Sequence, residues 1–148
     1  MTRLGFDSKD AESLFNILNQ NKFLPVEGIY SHLSTADEGD LTFSFKQLNK
    51  FNEIVESGKR SGLNFKYIHC SNSGAILNLP KSYFNTVRVG MLLYGVAPSS
   101  EVKVNQSYLP VMSFCWPVIN VRKVPANTPV SYGGKYLTYK ETYIGVIQ

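Results

Sequence analysis

Residues 69–95 read HCSNSGAILNLPKSYFNTVRVGMLLYG and hold the polar groups on which the interpretation of the whole chain rests. Ser73 and Gly74 stand where a helix is predicted to begin, and Arg88 and Gly90 follow on the next extended segment. A serine–glycine corner followed by a second glycine turn suits a small cofactor that carries a phosphate. The arginine between them is placed to meet the far end of the same cofactor.

The composition is that of a globular protein with few special features. Of its 148 residues, 43% are hydrophobic and 18% charged, and the net charge is +4. Basic residues are adjacent only at 59–60 and 122–123, so no basic patch indicates a nucleic-acid partner. Cys70 and Cys115 form neither a metal motif nor a disulfide framework. No signal peptide or membrane span is evident, and a cytoplasmic protein is expected.

The first hundred residues alternate between helical and strand patterns, which is typical of a parallel α/β sheet or barrel. Polar residues fall at predicted strand ends, the edge that carries the active site in a (β/α)₈ TIM-type barrel. These units are too few to close such a barrel. The predicted helices are 8–21 with Ser8 as N-cap, 43–58, 73–79 and one starting at 91; the predicted strands are 26–32, 65–70 and 86–89.

The last forty residues have a different pattern, which predicts a β-rich second unit. Residues 111–124 are mostly apolar and β-branched, 125–128 form a turn, 129–134 are extended and then turn, and 143–148 form another strand. We therefore predict two domains, 1–107 as part of a barrel and 108–148 as the start of a C-terminal β-domain.

Five motifs occur in an order that resembles the alanine racemases, fold-type III enzymes that depend on pyridoxal 5′-phosphate (PLP). Any one alone would be weak, but together and in order they extend over nearly the whole chain. They are MTRLGF at 1–6, GIYSH at 28–32 together with TAD at 35–37, HCSNSG at 69–74, FNTVRVGMLLYG at 84–95 and VSYG at 130–133. The resemblance implies the second half of a PLP-binding barrel followed by the start of the β-domain.

The resemblance also implies a role for individual residues. Ser73 and the Gly90 N–H match groups that bind the PLP phosphate, and Asn72 and Met91 flank them. Arg88 matches the arginine that faces the pyridine nitrogen.

Three further residues are implied to take part in the chemistry or lie close to it. His32 matches the histidine against the pyridine ring, and Arg3 the arginine near the phenolic oxygen. Tyr132 matches the catalytic tyrosine, which in this family acts in the active site of the partner subunit of a homodimer. Without the family match, His32 would be interpreted as a packed histidine and Tyr132 as a turn residue. Ser73 would be an ordinary helix cap, and His69 is expected to be structural.

The implied activity is the interconversion of L- and D-alanine, which supplies D-alanine for peptidoglycan. Racemisation needs two bases on opposite faces of Cα. Tyr132 is implied as one of them, with catalytic support from His32 and Arg88. The other is a Schiff-base lysine on the first barrel strand, and no lysine here stands in that context. We therefore expect an internal fragment that is inactive alone and prone to aggregate through open strand edges.

Three alternatives remain open from the sequence. The substrate could be another small amino acid such as serine. The chain could be a non-catalytic PLP-binding barrel, although the β-rich segment with Tyr132 argues against it. The parent protein could also be a fusion of a cell-wall ligase with a racemase. No metal ligand set is predicted.

Overall fold

The computed structural model describes residues 1–104 and 108–148. The chain divides into two units, Met1–Val111 and Met112–Gln148. The domain boundary predicted between 107 and 108 falls on the edge of 105–107, outside the described residues. None of the helices in the described ranges combines the length and the apolar character that crossing a bilayer requires.

The first unit is built from helices and one parallel strand pair. Strand β1 (Gly28–Tyr30) lies beside β2 (Tyr67–His69), with Tyr30 opposite His69. The helices are α1 (Ala11–Gln20), α2 (Thr42–Arg60) and α3 (Ser73–Asn78). Because parallel strands require a crossover connection, α2 between β1 and β2 forms a βαβ unit, as the alternation predicts.

The core of this unit lies between the helices and the strand pair. Helix α2 directs Leu48, Phe51 and Val55 inward at helical spacing, and Phe15 of α1 packs on Phe65 with ring centroids 6.3 Å apart. The remaining members of the core cluster are Leu33, Ala36, Ile68, Cys70, Ala75 and Leu79. Burial raises the pKa of the Cys70 thiol to about 11, so this cysteine stays protonated and inert.

Several predicted boundaries differ from the structure. The helix predicted from 8 begins with a 3₁₀ turn, Ser8–Asp10, and its cap is Asp7, whose carboxylate accepts from Lys9 N at 3.1 Å. The predicted strand at 86–89 is wrong. The backbone of this segment contacts the chain that follows β2 through one hydrogen bond, from Arg88 N to Ser71 O at 3.0 Å. Because Ser71 lies beyond the end of β2, no strand ladder forms. The helix predicted from 91 is a 3₁₀ segment, Met91–Tyr94.

The second unit consists of short antiparallel pairs. Strand β3 (Val118–Val124) pairs with β6 (Thr142–Ile147), and β4 (Pro129–Val130) pairs with β5 (Tyr136–Leu137). Thr138 is fully buried. Its hydroxyl donates to Pro125 O and accepts from Thr128 N, both at 2.8 Å, which holds the turn between β3 and β4.

Candidate functional site

The carboxyl ends of β1 and β2 meet at one edge of the strand pair. Tyr30 and His69 are register partners, and Ser31 N donates to His69 O at 3.1 Å, which extends the pairing one residue further. Side chains two residues apart on a strand share a face, so Tyr30 and His32 both lie on the side of His69. This edge is where ligands bind in parallel α/β proteins.

Arg88 connects the ends of the two strands. Its Nη2 donates to Ser31 O and to His32 Nδ1, both at 2.9 Å, and its Nη1 donates to His69 Nδ1 at 2.5 Å. Burial lowers the pKa of the guanidinium, which still keeps its proton at any working pH. Among the residues that the structure describes, no carboxylate forms an ion pair with Arg88. The edge therefore carries an uncompensated positive charge.

Arg88 also determines the state of both histidines. A ring nitrogen that accepts from an arginine carries no proton, so Nδ1 of His32 and of His69 is the acceptor and Nε2 carries the hydrogen. Burial and then the charge of Arg88 lower the pKa of both rings, and Arg3 and the N-terminal amine lower that of His32 further. Both histidines are neutral near pH 7, with His32 Nε2–H available as a donor.

Asn72 does not use that donor. Its Nδ2 lies 3.3 Å from His32 Nε2, but this Nδ2 donates to Leu33 O at 2.9 Å, and its Oδ1 accepts from Ala75 N at 3.0 Å. Both ends of the amide are thereby fixed, and the contact with His32 brings two donors together. Asn72 instead caps α3 and ties it to the end of β1.

A second group of polar atoms forms around Ser73, the first residue of α3. The buried Ser73 hydroxyl accepts from Gly90 N at 3.0 Å and from Leu92 N at 3.4 Å. Its own proton has no acceptor among the described residues. Met91, between these two donors, begins the 3₁₀ segment and is exposed. The segment after Arg88 is thus held against the start of α3, as the motif spacing predicts.

Gly74 allows α3 to approach the chain that follows β1. A Cβ at this position would lie 2.7 Å from Asp37 N and 2.9 Å from the Ala36 carbonyl carbon. Asn78 Nδ2 donates to Ala36 O at 3.1 Å, and the Ser99 hydroxyl donates to Asp37 O. Asp37 therefore lies in a backbone contact that supports the start of α3.

The structure brings together most, but not all, of the residues that the sequence assigns to the site. His32, Arg88 and Asn72 are in direct contact, and Ser73 and Gly90 are hydrogen-bonded. Arg3 is exposed, and its charge acts on His32. Tyr132 lies in the second unit on the turn after β4, with its side chain 99% exposed.

Two residues of the edge were missed or underrated. His69 was expected to be structural, yet it accepts a hydrogen bond from Arg88. Tyr30 was given no role, yet its ring stacks on His69 with centroids 5.3 Å apart. The sequence did not single out these two positions, because their contact depends on the register in which β1 pairs with β2.

Comparison with known proteins is decisive for the family. The family model described as "Alanine racemase, N-terminal domain" matches residues 1–98. The chain belongs to the alanine racemase family. The family expected from the five motifs is confirmed.

Individual alanine racemases match over almost the whole chain. That of Carboxydothermus hydrogenoformans is 41% identical over 145 residues, and that of Clostridium novyi is 37% identical over 153 residues. These matches cover 97% and 99% of this chain but 39% and 38% of the relatives. The chain thus spans about two fifths of an alanine racemase's length.

Solved structures of the family agree in fold. The crystal structure of alanine racemase from Bacillus anthracis with bound L-Ala-P is 32% identical, with a TM-score of 0.72 over 99% of this chain and 38% of that one. The enzyme from E. faecalis gives a TM-score of 0.73 at 29% identity, over 99% of this chain and 39% of that one. The α/β architecture is that of part of an alanine racemase.

Proposed function

We propose that this chain forms the phosphate- and pyridine-binding side of a PLP-dependent alanine racemase. The observation that carries the proposal is Arg88, a half-buried guanidinium with no carboxylate partner in the described part of the chain, fixed by two neutral histidines. An ion pair would neutralise such a charge, whereas here the positive charge of Arg88 stays available to interact with a ligand. Gly90 follows Arg88 by two residues, and its N–H is hydrogen-bonded to Ser73.

The phosphate end of PLP fits the residues around Ser73. The hydroxyl already accepts two backbone N–H groups, so its remaining proton is free to donate to a phosphate oxygen. A Cβ on Gly90 would lie 3.6 Å from Ser73 Oγ, so the glycine keeps the space beside the hydroxyl open. Ser73, Gly90 and Met91 would hold the phosphate, with Asn72 orienting the start of α3.

The pyridine end fits Arg88. Its Nη1 and Nη2 donate to the strand ends, and its Nε has no partner among the described residues. PLP when bound supplies the electron sink that acidifies the Cα–H bond of an amino acid. An arginine keeps its own proton and would hold the pyridine nitrogen unprotonated, which moderates that sink. A moderate sink favours racemisation over side reactions.

The proton-handling residues are His32 and Tyr132. His32 Nε2–H is left as a free donor by the bond from Arg88 to Nδ1, so it can hydrogen-bond a phenol and support its loss of a proton. The 99% exposure of Tyr132 supports a role outside its own unit, as in a homodimer whose partner supplies this base. Arg3 would lie near the phenolic oxygen of the cofactor.

We further propose that the second base, the Schiff-base lysine, is supplied by residues other than these. No lysine of the described ranges hydrogen-bonds to His32, Arg88, Ser73 or Gly90. The substrate is proposed to be alanine, as the names of the relatives state for those proteins. Serine stays a second candidate, and a cytoplasmic location stays a prediction.

A chimaera tests the function. The matching 145-residue region of the Carboxydothermus hydrogenoformans enzyme would be replaced by this chain, because 41% identity preserves most packing positions. We expect the chimaera to convert L-alanine to D-alanine, and L-serine more slowly. Tyr132→Phe and Arg88→Lys should each lower kcat by orders of magnitude. Lys140→Arg, a change on an exposed surface residue, is the control.

Two results would contradict the proposal. A folded chimaera that binds PLP but racemises neither amino acid would rule out alanine racemase activity for this chain. For the isolated chain, incubation with PLP and borohydride should yield no stoichiometric lysine adduct and no turnover. A single modified lysine together with turnover would show that this chain carries its own Schiff-base residue.

A further inference from the structure

We propose that Tyr30 is a positioning residue that holds the Arg88 guanidinium in the orientation the cofactor requires. The inference rests on the proposed PLP site, because the orientation matters only if a ligand meets Arg88. No motif of the sequence assigned Tyr30 a role.

The geometry places the Tyr30 ring against both partners. It stacks on the His69 ring with centroids 5.3 Å apart and an interplanar angle of 12°. Arg88 Cζ lies 5.4 Å from the centroid of the same Tyr30 ring, within the range of a cation–π contact. The ring therefore touches Arg88 directly and also touches one of the imidazoles that accept from it.

Core packing does not explain this ring. Tyr30 is 60% exposed and does not belong to the hydrophobic core cluster, whereas its neighbour Ile29 packs against that cluster. A large aromatic side chain left exposed at a strand end gains little from burial. Its ring contacts the site residues His69 and Arg88, so its contribution is to them.

The ring supplies a restraint that the hydrogen bonds leave open. The N–H donors of a guanidinium point outward within its plane. The bonds to Ser31 O, His32 Nδ1 and His69 Nδ1 therefore fix directions in that plane. Attraction of the guanidinium to the face of the Tyr30 ring adds a contact out of that plane. The ring thereby limits the motion of Arg88 and, by stacking, that of His69. Loss of the ring should loosen Arg88 without removing any of its hydrogen-bond acceptors.

Two histidines in the chain make the test direct, because their imidazole NMR signals are few and can be assigned by His32→Gln and His69→Gln. The groups acting on His32 are Arg88, Arg3 and the N-terminal amine; those on His69 are Arg88 and the stacked Tyr30. In Tyr30→Leu the pKa of His32 should rise, since Arg88 withdraws. The recorded aromatic contacts of Tyr30 are with His69 and Arg88, so exposure of His69 would raise the pKa of His69, whereas withdrawal of Arg88 raises that of His32 as well.

Matched variants separate positioning from folding. Tyr30→Phe keeps the ring and should leave both titrations and ligand binding unchanged. Tyr67→Leu removes a half-exposed tyrosine from the same face of the same strand pair, where its ring contacts Lys66 and not Arg88, and should also behave as wild type. Tyr30→Ile, which favours a strand, replaces Tyr30→Leu if the latter does not fold.

Ligand binding is measured with pyridoxine 5′-phosphate, which has the ring nitrogen and the phosphate of PLP. Because it has no aldehyde, it cannot form a Schiff base with surface lysines. Tyr30→Leu should weaken its binding to the 148-residue chain roughly three- to tenfold, as expected for loss of a cation–π contact. An unchanged His32 titration together with an unchanged affinity in the ring-deleting variant, Tyr30→Leu or its replacement Tyr30→Ile, would overturn the inference. If wild-type chain binds no ligand, the proposed site fails, while the His32 titration still decides whether Tyr30 holds Arg88.

Discussion

Arg88 is the residue on which the candidate site depends most. It is the common hydrogen-bond donor to both histidines, and its charge lowers the pKa of each after the larger effect of burial. Neutral imidazoles with Nδ1 as acceptor are the state that leaves His32 Nε2–H as a donor. One arginine thus sets the tautomer of both rings and adds to the effect of burial on their charge.

Replacing Arg88 by Gln should raise the pKa of both histidines, because the amide has no charge. Neither should reach its ordinary value of about 6.5, because the burial contribution remains. We would measure both by NMR pH titration. Arg60→Gln, at the exposed end of α2, is the matched control and should change neither ring. Unaltered titration curves in Arg88→Gln would show that burial alone governs these rings.

The same lowered pKa values predict how stability depends on pH. Between the folded pKa of each histidine and about 6.5, the unfolded chain binds more protons than the folded one, so the free energy of unfolding rises with pH there. Stability should therefore be greatest above that window and fall as the solution is acidified through it. Denaturant titrations of wild type and His32→Gln/His69→Gln should show the loss of this slope in the double variant. An equal slope in both would assign it to other groups.

At the scale of elements, the position of α3 depends on one glycine. Gly74→Ala should destabilise the first unit by roughly 1–3 kcal/mol, since the new Cβ meets the backbone of Ala36 and Asp37, which cannot rotate away. The gain in helix propensity of about 1 kcal/mol offsets only part of this. Thermal or denaturant unfolding measures the difference.

Gly39→Ala is the matched control for that change. The nearest atom to its new Cβ is Glu101 Oε2 at 3.1 Å, which accepts from Gly39 N at 2.7 Å but stands at the far end of an exposed, flexible side chain that can shift by a few tenths of an ångström. This variant should unfold close to wild type. A Gly74→Ala protein as stable as Gly39→Ala would mean that α3 can shift without cost.

The elements also show how far sequence reasoning reaches. Periodicity placed α1 and α2 to within a few residues, because a buried helix face is encoded locally in Phe15 or in Leu48 and Val55. The strand predicted at 86–89 failed, because a strand requires a partner and pairing is a property of the tertiary structure.

The same limit applies to the site. The resemblance to the alanine racemases assigned Ser73, Gly90, His32 and Arg88 to one cofactor site, and the strand pattern placed polar residues of these segments at one edge. The part played by His69 and Tyr30 became visible only in the register of β1 and β2. Neighbouring strand ends are set by pairing, which no single segment of the sequence specifies.

At the scale of the whole molecule, the exposed surface is large. The chain exposes 11069 Å², whereas a folded monomer of 16.6 kDa would expose about 7,600 Å². Even two separate folded units of these sizes would expose only about 8,900 Å². Large hydrophobic side chains contribute to it: in β3, for example, Val118, Ile119 and Val121 are all exposed. Such a surface, with open strand edges, favours association.

We therefore expect the 148-residue chain to self-associate, with a weight-average mass in sedimentation experiments that rises with concentration. Ile119→Lys with Val121→Lys should reduce association, because lysines on an exposed strand oppose edge-to-edge pairing. Asn49→Lys with Asn52→Lys adds the same charge at exposed polar positions of α2 and should have a smaller effect. If both double variants reduce association equally, net charge is responsible and the β3 surface is not. A wild-type chain that stays monomeric throughout would show that its exposed apolar surface is tolerated in water.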